Sequence, residues 1–228
     1  MYELFIANKN YSSWSLRPWV LMKTLKIPFA ERLAPFPPAA PGNTVFKKFS
    51  PSGKVPFLKD GKTGVWDSLA IAEYLAERHK GVWPADAKAR AFARSAAAEM
   101  HSGFTDLRNT CTMSCGVRVK ITKVSPELKA DVSRIAALWN DGLKRFGGPF
   151  LAGKKFSAAD AFYCPVAFRM QTYGLKVDAK SSAYAKRLLA LPAMREWYQA
   201  ALNETMRIER YEEHARSVGK VTEDLRAA

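Results

Sequence analysis

The chain has 228 residues, 48% hydrophobic and 25% charged, with a formal net charge of +15. This is length enough for one large or two small domains with a real core, and the composition is neither that of a disordered chain nor of a disulfide scaffold. The charge is spread, 12 Lys/Arg against 6 Asp/Glu in residues 1–80 and 24 against 15 beyond; with no zinc-finger spacing and no aromatic-basic sheet signature, it predicts a surface that attracts small anions and no nucleic-acid partner.

Cys111, Cys115 and Cys164 are an odd, sparse set with no CxxC, which points to a reducing compartment and a cytoplasmic protein. Cys111 and Cys115 stand four apart, one face of a helix if that stretch is helical. The histidines, His79, His101 and His214, are scattered, so no metal site is expected. The N-terminal stretch lacks the pattern of a secretory signal, and no apolar run is long enough to span a bilayer.

Tyr2 to Ala7 alternates weakly and predicts a strand, followed by an Asn8-Lys9-Asn10 turn. Leu16 to Leu25 predicts a helix buried through Leu16, Trp19, Val20 and Leu25. Pro18 is tolerated in a first turn. That places the helix start near Ser15 and leaves Tyr11 to Trp14 in the preceding loop. Ile27-Pro28-Phe29 ends the helix and opens a second strand, Phe29 to Leu33. The proline-rich run Phe36 to Gly42 predicts a loop at the mouth of a cleft, with a short helical piece near Val45 to Phe49. Ser50-Pro51-Ser52-Gly53 is a turn. Lys54 to Leu58 reads as a short strand holding Pro56, and Lys59 to Gly64 as a hairpin turn built on Asp60-Gly61. Val65-Trp66 is the return strand. Asp67-Ser68 opens a helix with Leu69, Ile71, Ala72 and Leu75 inward. The order is β-α-β, a loop, then β-β-α.

Val55-Pro56 followed by Asp67-Ser68 resembles the second half of the thioredoxin-like domain of cytosolic glutathione transferases. The base rate at X–Pro favours trans; the resemblance implies cis. It further implies that Val55, beside Lys54 and Pro56, pairs its backbone with the cysteinyl part of glutathione. Asp67 and Ser68 would hold the γ-glutamyl end, where a helix N-terminus favours a carboxylate. Read alone, Asp-Ser before an apolar helix is also a plain N-cap.

Tyr11-Ser12-Ser13-Trp14-Ser15-Leu16-Arg17-Pro18 resembles the catalytic stretch of serine-type transferases of bacterial type, notably the zeta class. That pattern is Ser-Ser-Cys-Ser followed two residues later by Arg. The serines fall on Ser12, Ser13 and Ser15, and the arginine on Arg17. The cysteine falls on Trp14, a departure that counts against the isomerase chemistry of that class. The resemblance assigns thiolate stabilisation to Ser12, with Ser13 in reserve. Without it, Ser12, Ser13 and Ser15 are helix caps. Arg17 in a first turn meets an unfavourable dipole, which predicts a specific partner such as a carboxylate. Tyr11, Trp14 and Phe36 are expected along the acceptor pocket.

Val82 to Asp86 resembles the family's linker, with Trp83 packed between domains. From Ala87 an alanine- and arginine-rich stretch predicts a long helix, which in the family lines the acceptor pocket and contributes to a homodimer contact. Cys111, Met113 and Cys115 are read as its continuation, with Met113 and Cys115 as pocket lining and core the equal alternative. Ser125-Pro126 starts another helix, buried through Val132, Ile135, Leu138, Trp139 and Leu143. Ser157-Ala158-Ala159-Asp160 is a capping box before the apolar helix Ala161 to Tyr173, and the family carries such a box at its central helix. Tyr184 to Leu191 and Met194 to about Tyr211 predict two more helices. The charged tail from Glu212 is expected to fray or drape over the surface.

The expected architecture is therefore a thioredoxin-like domain (1–80), a linker (81–86) and an all-helical domain (87–228). The expected function is a glutathione S-transferase acting on a small hydrophobic electrophile, with glutathione as co-substrate, no metal and no membrane partner. A glutathione-dependent isomerase and a non-catalytic binding module of the same fold are the alternatives. A thiol-disulfide reductase would need a cysteine in the Ser12 loop, and there is none.

Overall fold

A computed structural model describes residues 1–37 and 43–226, the side chains of 43 and 44 excepted. Most of the predicted proline-rich loop, 38–42, lies outside the described residues. The first part contains β1 (Tyr2–Ile6), α1 (Ser13–Thr24), β2 (Phe29–Leu33), α2 (Asn43–Phe46), β3 (Phe57–Asp60), β4 (Thr63–Trp66) and α3 (Ser68–Ala76). The four strands form one sheet in the order β2-β1-β3-β4. β1 runs parallel to β2 and antiparallel to β3, and β3 pairs antiparallel with β4. The β3–β4 turn needs Gly61, at φ 57°, a left-handed conformation that glycine adopts freely.

The second part is α4 (Ala87–Ser102), α5 (Thr105–Thr110), β5 (Val117–Ile121), α6 (Pro126–Arg145), α7 (Ala158–Tyr173), α8 (Ala179–Leu189), α9 (Pro192–Leu202), α10 (Glu209–Val218) and β6 (Gly219–Asp224). It is helical apart from the two-stranded β5–β6 sheet. α7 is apolar almost all round and runs through the core, packing on α1, α4 and α8. Asp160 anchors its start. Its carboxylate accepts from Ser157 N–H (2.9 Å), Leu151 N–H (2.9 Å) and Tyr184 O–H (2.7 Å). Burial pushes its pKa up against those donors, and its role is structural.

Five expectations need correction. The helix expected over Met194 to about Tyr211 ends at Leu202, and α10 begins only at Glu209. α1 begins at Ser13 with Ser12 as its cap, so Pro18 sits in the second turn and supplies no N–H there. Burial of Leu16, Trp19, Val20, Leu21 and Met22 outweighs that loss. Pro56 lies just before β3, whose first residue is Phe57, and so takes no donor from the ladder. The stretch after α4 is no helix continuation. α4 stops at Gly103, Phe104 takes φ 55°, and 117–121 turns into a strand. The tail does not fray: α10 and β6 are ordered, and β6 pairs with β5 across about a hundred residues of chain.

Candidate functional site

Ser12 is 3% exposed. Its Oγ accepts the Ser15 N–H at 3.3 Å and donates to Ser15 Oγ at 2.7 Å; Ser15 Oγ also accepts the Ala7 N–H at 3.1 Å. These bonds tie the α1 N-terminus to the end of β1.

The Val55-Pro56 bond is cis. Neither the N–H nor the C=O of Val55 has a hydrogen-bond partner among the described residues. An unpaired backbone donor and acceptor beside a cavity are available to an extended ligand. Asp67 is the N-cap of α3, with its carboxylate accepting the Leu69 N–H at 2.8 Å. Its φ is 77°, ψ 136°, a conformation that costs a non-glycine residue on the order of 1–3 kcal/mol. Ser68 follows, 1% exposed.

These three segments meet at one cavity of about 720 Å³. Ser12, Lys54, Val55, Pro56, Asp67 and Ser68 lie along it, with Trp14 and Phe36 on the α1 and loop sides. A smaller cavity of about 200 Å³ adjoins it, sharing Ser12, Trp14 and Phe36 and adding Tyr11, Ser13 and Met113. Cys115 reaches neither: it is fully buried, and its thiol donates to the Lys9 carbonyl at 3.6 Å. A groove of about 730 Å³ between β5, the start of α6 and the end of α7 contains none of the predicted site residues.

Sequence reasoning missed Arg108, Arg169 and Arg210, and expected the wrong partner for Arg17. Arg17 meets no carboxylate at ion-pair distance. Its guanidinium donates to Ser68 Oγ and to the Met100 carbonyl, each at 3.5 Å, and lies over Trp14 (4.1 Å) and Phe162 (4.8 Å). Arg108 covers Trp14 at 4.8 Å and donates to the carbonyls of His101 and Gly103. Arg169 donates to the Cys111 carbonyl (2.7 Å) and to Ser13 Oγ (3.3 Å). Among the described residues none of the three forms an ion pair, and Arg17 Nε and Arg169 Nη1 are buried without a partner. Burial and the other two guanidiniums push Arg17 down to about 9; burial pushes Arg169 down to about 10. Both remain cations at neutral pH. His101 lies 3.4 Å from Asp67. Burial, with Arg17 and Arg108 nearby, outweighs Asp67 and lowers its pKa, so at neutral pH it is an uncharged neighbour. Arg210 and Tyr211 of α10 complete the wall. Arg169 carried a local signal, a lone charge inside the apolar run Ala161 to Tyr173; Arg108 and Arg210 had none.

Residues 11–78 match the family model "Glutathione S-transferase, N-terminal domain", and residues 122–200 match "Glutathione S-transferase, C-terminal domain". A zeta-class glutathione S-transferase from Euphorbia esula is 31% identical over 123 residues, 53% of this chain and 55% of that protein. A dichloromethane dehalogenase from Methylorubrum extorquens is 36% identical over 61 residues, 26% of this chain and 21% of that protein. The chain thus spans about half the length of the first relative and about a fifth of the second. A Burkholderia glutathione transferase homologue with bound glutathione superposes with TM-score 0.65 at 20% identity, over 88% of this chain and 97% of that one. An unclassified glutathione S-transferase from Bombyx mori superposes with TM-score 0.68 at 18% identity, over 96% and 99%. At these identities the superpositions speak for the fold. The matches over both parts of the chain show that it belongs to the glutathione S-transferase superfamily, with an N-terminal thioredoxin-like domain and a C-terminal helical domain.

Proposed function

We propose that the protein is a glutathione S-transferase that activates the glutathione thiol for attack on a small electrophile bearing an anionic group. One observation carries the reading: Ser12, the cis Val55-Pro56 bond and Asp67-Ser68 converge on one cavity from segments separated by some forty and ten residues. Glutathione supplies the nucleophilic sulfur. Ser68 and the α3 N-terminus receive its γ-glutamyl carboxylate, with Arg17 behind Ser68 adding positive charge. Of the Ser68, Leu69 and Ala70 N–H groups at the start of α3 only that of Leu69 is occupied, by Asp67, so donors stand free for that carboxylate. Asp67, exposed at the cavity edge, takes the α-amino group. Val55 offers its unpaired backbone to the cysteinyl residue. Ser12 directs its hydroxyl at the sulfur and holds charge there at neutral pH.

The smaller cavity is the acceptor side. Trp14, Phe36, Tyr211 and Met113 give it apolar walls. Arg108 and Arg169 also line it, and no carboxylate among the described residues pairs with either. An anionic group on the acceptor satisfies Arg169 Nη1, which is otherwise a buried donor without a partner. The neutral aryl or alkyl body packs on the aromatic walls. The free cysteines are all buried, which fits a reducing, cytoplasmic setting.

The test has two parts. Retention on immobilised glutathione is expected, together with ultraviolet thiolate absorbance of the bound tripeptide at neutral pH. Steady-state rates should favour a carboxylate-bearing aryl halide over its neutral counterpart. Retention without thiolate absorbance would make the protein a binding module of the same fold; no retention would remove the reading.

A further inference from the structure

The far C-terminal segment is built into the site by a polar clasp. Tyr11, one residue before Ser12, is 2% exposed and donates its O–H to Glu212 Oε1 at 2.6 Å. Its ring stacks on Tyr211 at 4.9 Å and 14°. Its main-chain N–H and that of Ser12 both bond the Asn8 carbonyl, at 3.2 and 2.9 Å, so Tyr11 and Ser12 move as one turn. Arg226 joins the same carboxylate. Nη1 donates to Glu212 Oε1 (2.6 Å) and to Tyr11 Oη (3.0 Å), and Nη2 donates to Glu212 Oε2 (2.7 Å) and Asp224 Oδ2 (2.6 Å). The Arg226 side chain is 3% exposed between the two carboxylates.

Two glycines make room for this. A Cβ on Gly116 would stand 2.2 Å from Arg226 Cγ, so only glycine lets the arginine stem pass. The Gly116 carbonyl also accepts the Leu225 N–H at 2.9 Å. A Cβ on Gly219 would meet the Lys120 carbonyl at 2.3 Å, where β6 begins its pairing with β5.

The helix held this way has little core of its own. Of the ten residues of α10, Glu209–Val218, only Ala215 is buried. Apolar burial, the usual anchor of a surface helix, is nearly absent, and the bonds to Tyr11 and Arg226 stand in its place. Arg210 and Tyr211 on this helix line the cavity.

We propose that residues 209–226 form a polar-latched wall of the acceptor cavity, and that Arg226 is a positioning residue. It sets acceptor affinity by holding Glu212 and Tyr11 together and touches no substrate itself. This rests on reading the smaller cavity as the acceptor side. The latch also has a readout that needs no ligand.

The experiment compares wild type with Arg226→Met, Arg226→Lys and Gly116→Ala; the last displaces the stem while keeping the guanidinium. Hydrogen exchange of the 209–224 amides is read first, in the free protein. Arg226→Met and Gly116→Ala should lose about tenfold protection there, equivalent to about 1.4 kcal/mol, with α7 amides unchanged. Arg226→Lys, which keeps the charge but not the double fork, should fall between. Calorimetry then follows glutathione, and 4-chloro-3-nitrobenzoate added to protein saturated with S-methylglutathione. Glutathione affinity should stay within about twofold, and the nitrobenzoate should bind about tenfold more weakly to Arg226→Met. Unchanged exchange at 209–224 in both Arg226→Met and Gly116→Ala overturns the latch. Loosened exchange with unchanged nitrobenzoate affinity overturns the positioning role. Failure of nitrobenzoate to bind wild type removes the acceptor reading and the positioning role with it, while glutathione binding is judged separately by its own titration.

Discussion

On the proposed reading, replacing Ser12 by alanine should separate binding from chemistry, and the surrounding bonds set the size of the effect. Ser12 Oγ does two things. It accepts the Ser15 N–H as a helix cap, and its proton is engaged by Ser15 Oγ at 2.7 Å. A thiolate can receive that proton only if Ser15 gives it up. Ser15 can compensate by turning its own hydroxyl onto Ser12 Oγ, since Ser15 Oγ already accepts the Ala7 N–H. With that rotation Ser12 donates at no net loss, and a hydrogen bond to a charged acceptor is worth about 1.5–3 kcal/mol. One pKa unit is about 1.36 kcal/mol, so Ser12→Ala should raise the bound thiol's pKa by about one to two units. The neutral-pH rate should fall about 10- to 100-fold and recover as pH rises. If Ser15 does not turn, the neutral Ser12–Ser15 bond of about 0.5–1.5 kcal/mol is forfeited and the shift shrinks accordingly.

Ser15→Ala distinguishes the two cases. It frees the Ser12 proton and so should leave the thiol's pKa unchanged or lower it. It also strands the buried Ala7 N–H, costing about 1–3 kcal/mol of stability. Ser12→Ala loses a cap worth about 0.5–2 kcal/mol, so its activity loss must be read on protein shown to be folded. Ser68→Ala should do the opposite of Ser12→Ala, weakening glutathione binding with little change in the bound thiol's pKa. The assay is ultraviolet thiolate absorbance against pH for the saturated proteins. Superimposable titrations for wild type and Ser12→Ala would reduce Ser12 to a helix cap. Ser13, whose Oγ faces Arg169, would then be titrated next.

The other predictions are shorter. Asp67→Gly should relieve the strain at φ 77°, on the order of 1–3 kcal/mol, and lose only a few tenths as a cap. Thermal stability should hold or rise while glutathione affinity drops, and a lower Tm would refute the strain argument. Arg169→Met should slow turnover of a carboxylate-bearing aryl halide and spare the neutral one; equal loss on both would assign Arg169 to packing. Burial and Asp224 push the Glu212 carboxyl up, but Arg226 and Tyr11 outweigh them and hold it below its ordinary 4.5. Its stabilisation is therefore complete above that value and is lost as pH falls through the lower, folded value. Exchange protection in 209–224 should vanish with acid before that of α7, and simultaneous loss would count against it. Sedimentation at micromolar concentration should give a two-fold dimer with α4 at the contact and Asp67 nearby; monomer alone would remove that expectation.

What was legible in the sequence was local, and the reason is physical. The Asp60-Gly61 turn and the Ser157–Asp160 box announce themselves because the residues that make the bonds are neighbours in the chain. Phe29 to Leu33 was readable from the Pro28 break just before it and not from its composition, since Ala, Glu, Arg and Leu are helix formers. Pairings across long stretches leave no such trace. Val117-Arg118-Val119-Lys120-Ile121 alternates as a strand should, yet its partner is the tail, and with no pairing run nearby in the chain it goes unassigned. The tail misled for the converse reason: with one buried residue in α10, it carries no apolar stripe to predict docking, and its anchors, Tyr11 and Gly116, lie far upstream. The site divides along the same line. Ser12, Val55-Pro56 and Asp67-Ser68 are main-chain devices, helix ends and an unpaired strand entry, so each is written in a short motif. The arginines are side-chain devices, brought together by the docking of α1 on α7. Of those the sequence reading had not singled out, only Arg169 broke its local pattern. A cation inside an apolar helix must be paid for by something it meets, and here that is the Cys111 carbonyl and Ser13, with Nη1 left unfilled. On the proposed reading the glutathione half of the site is thus a matter of backbone and the acceptor half a matter of packing, so the residues that would set electrophile choice are those a motif cannot announce.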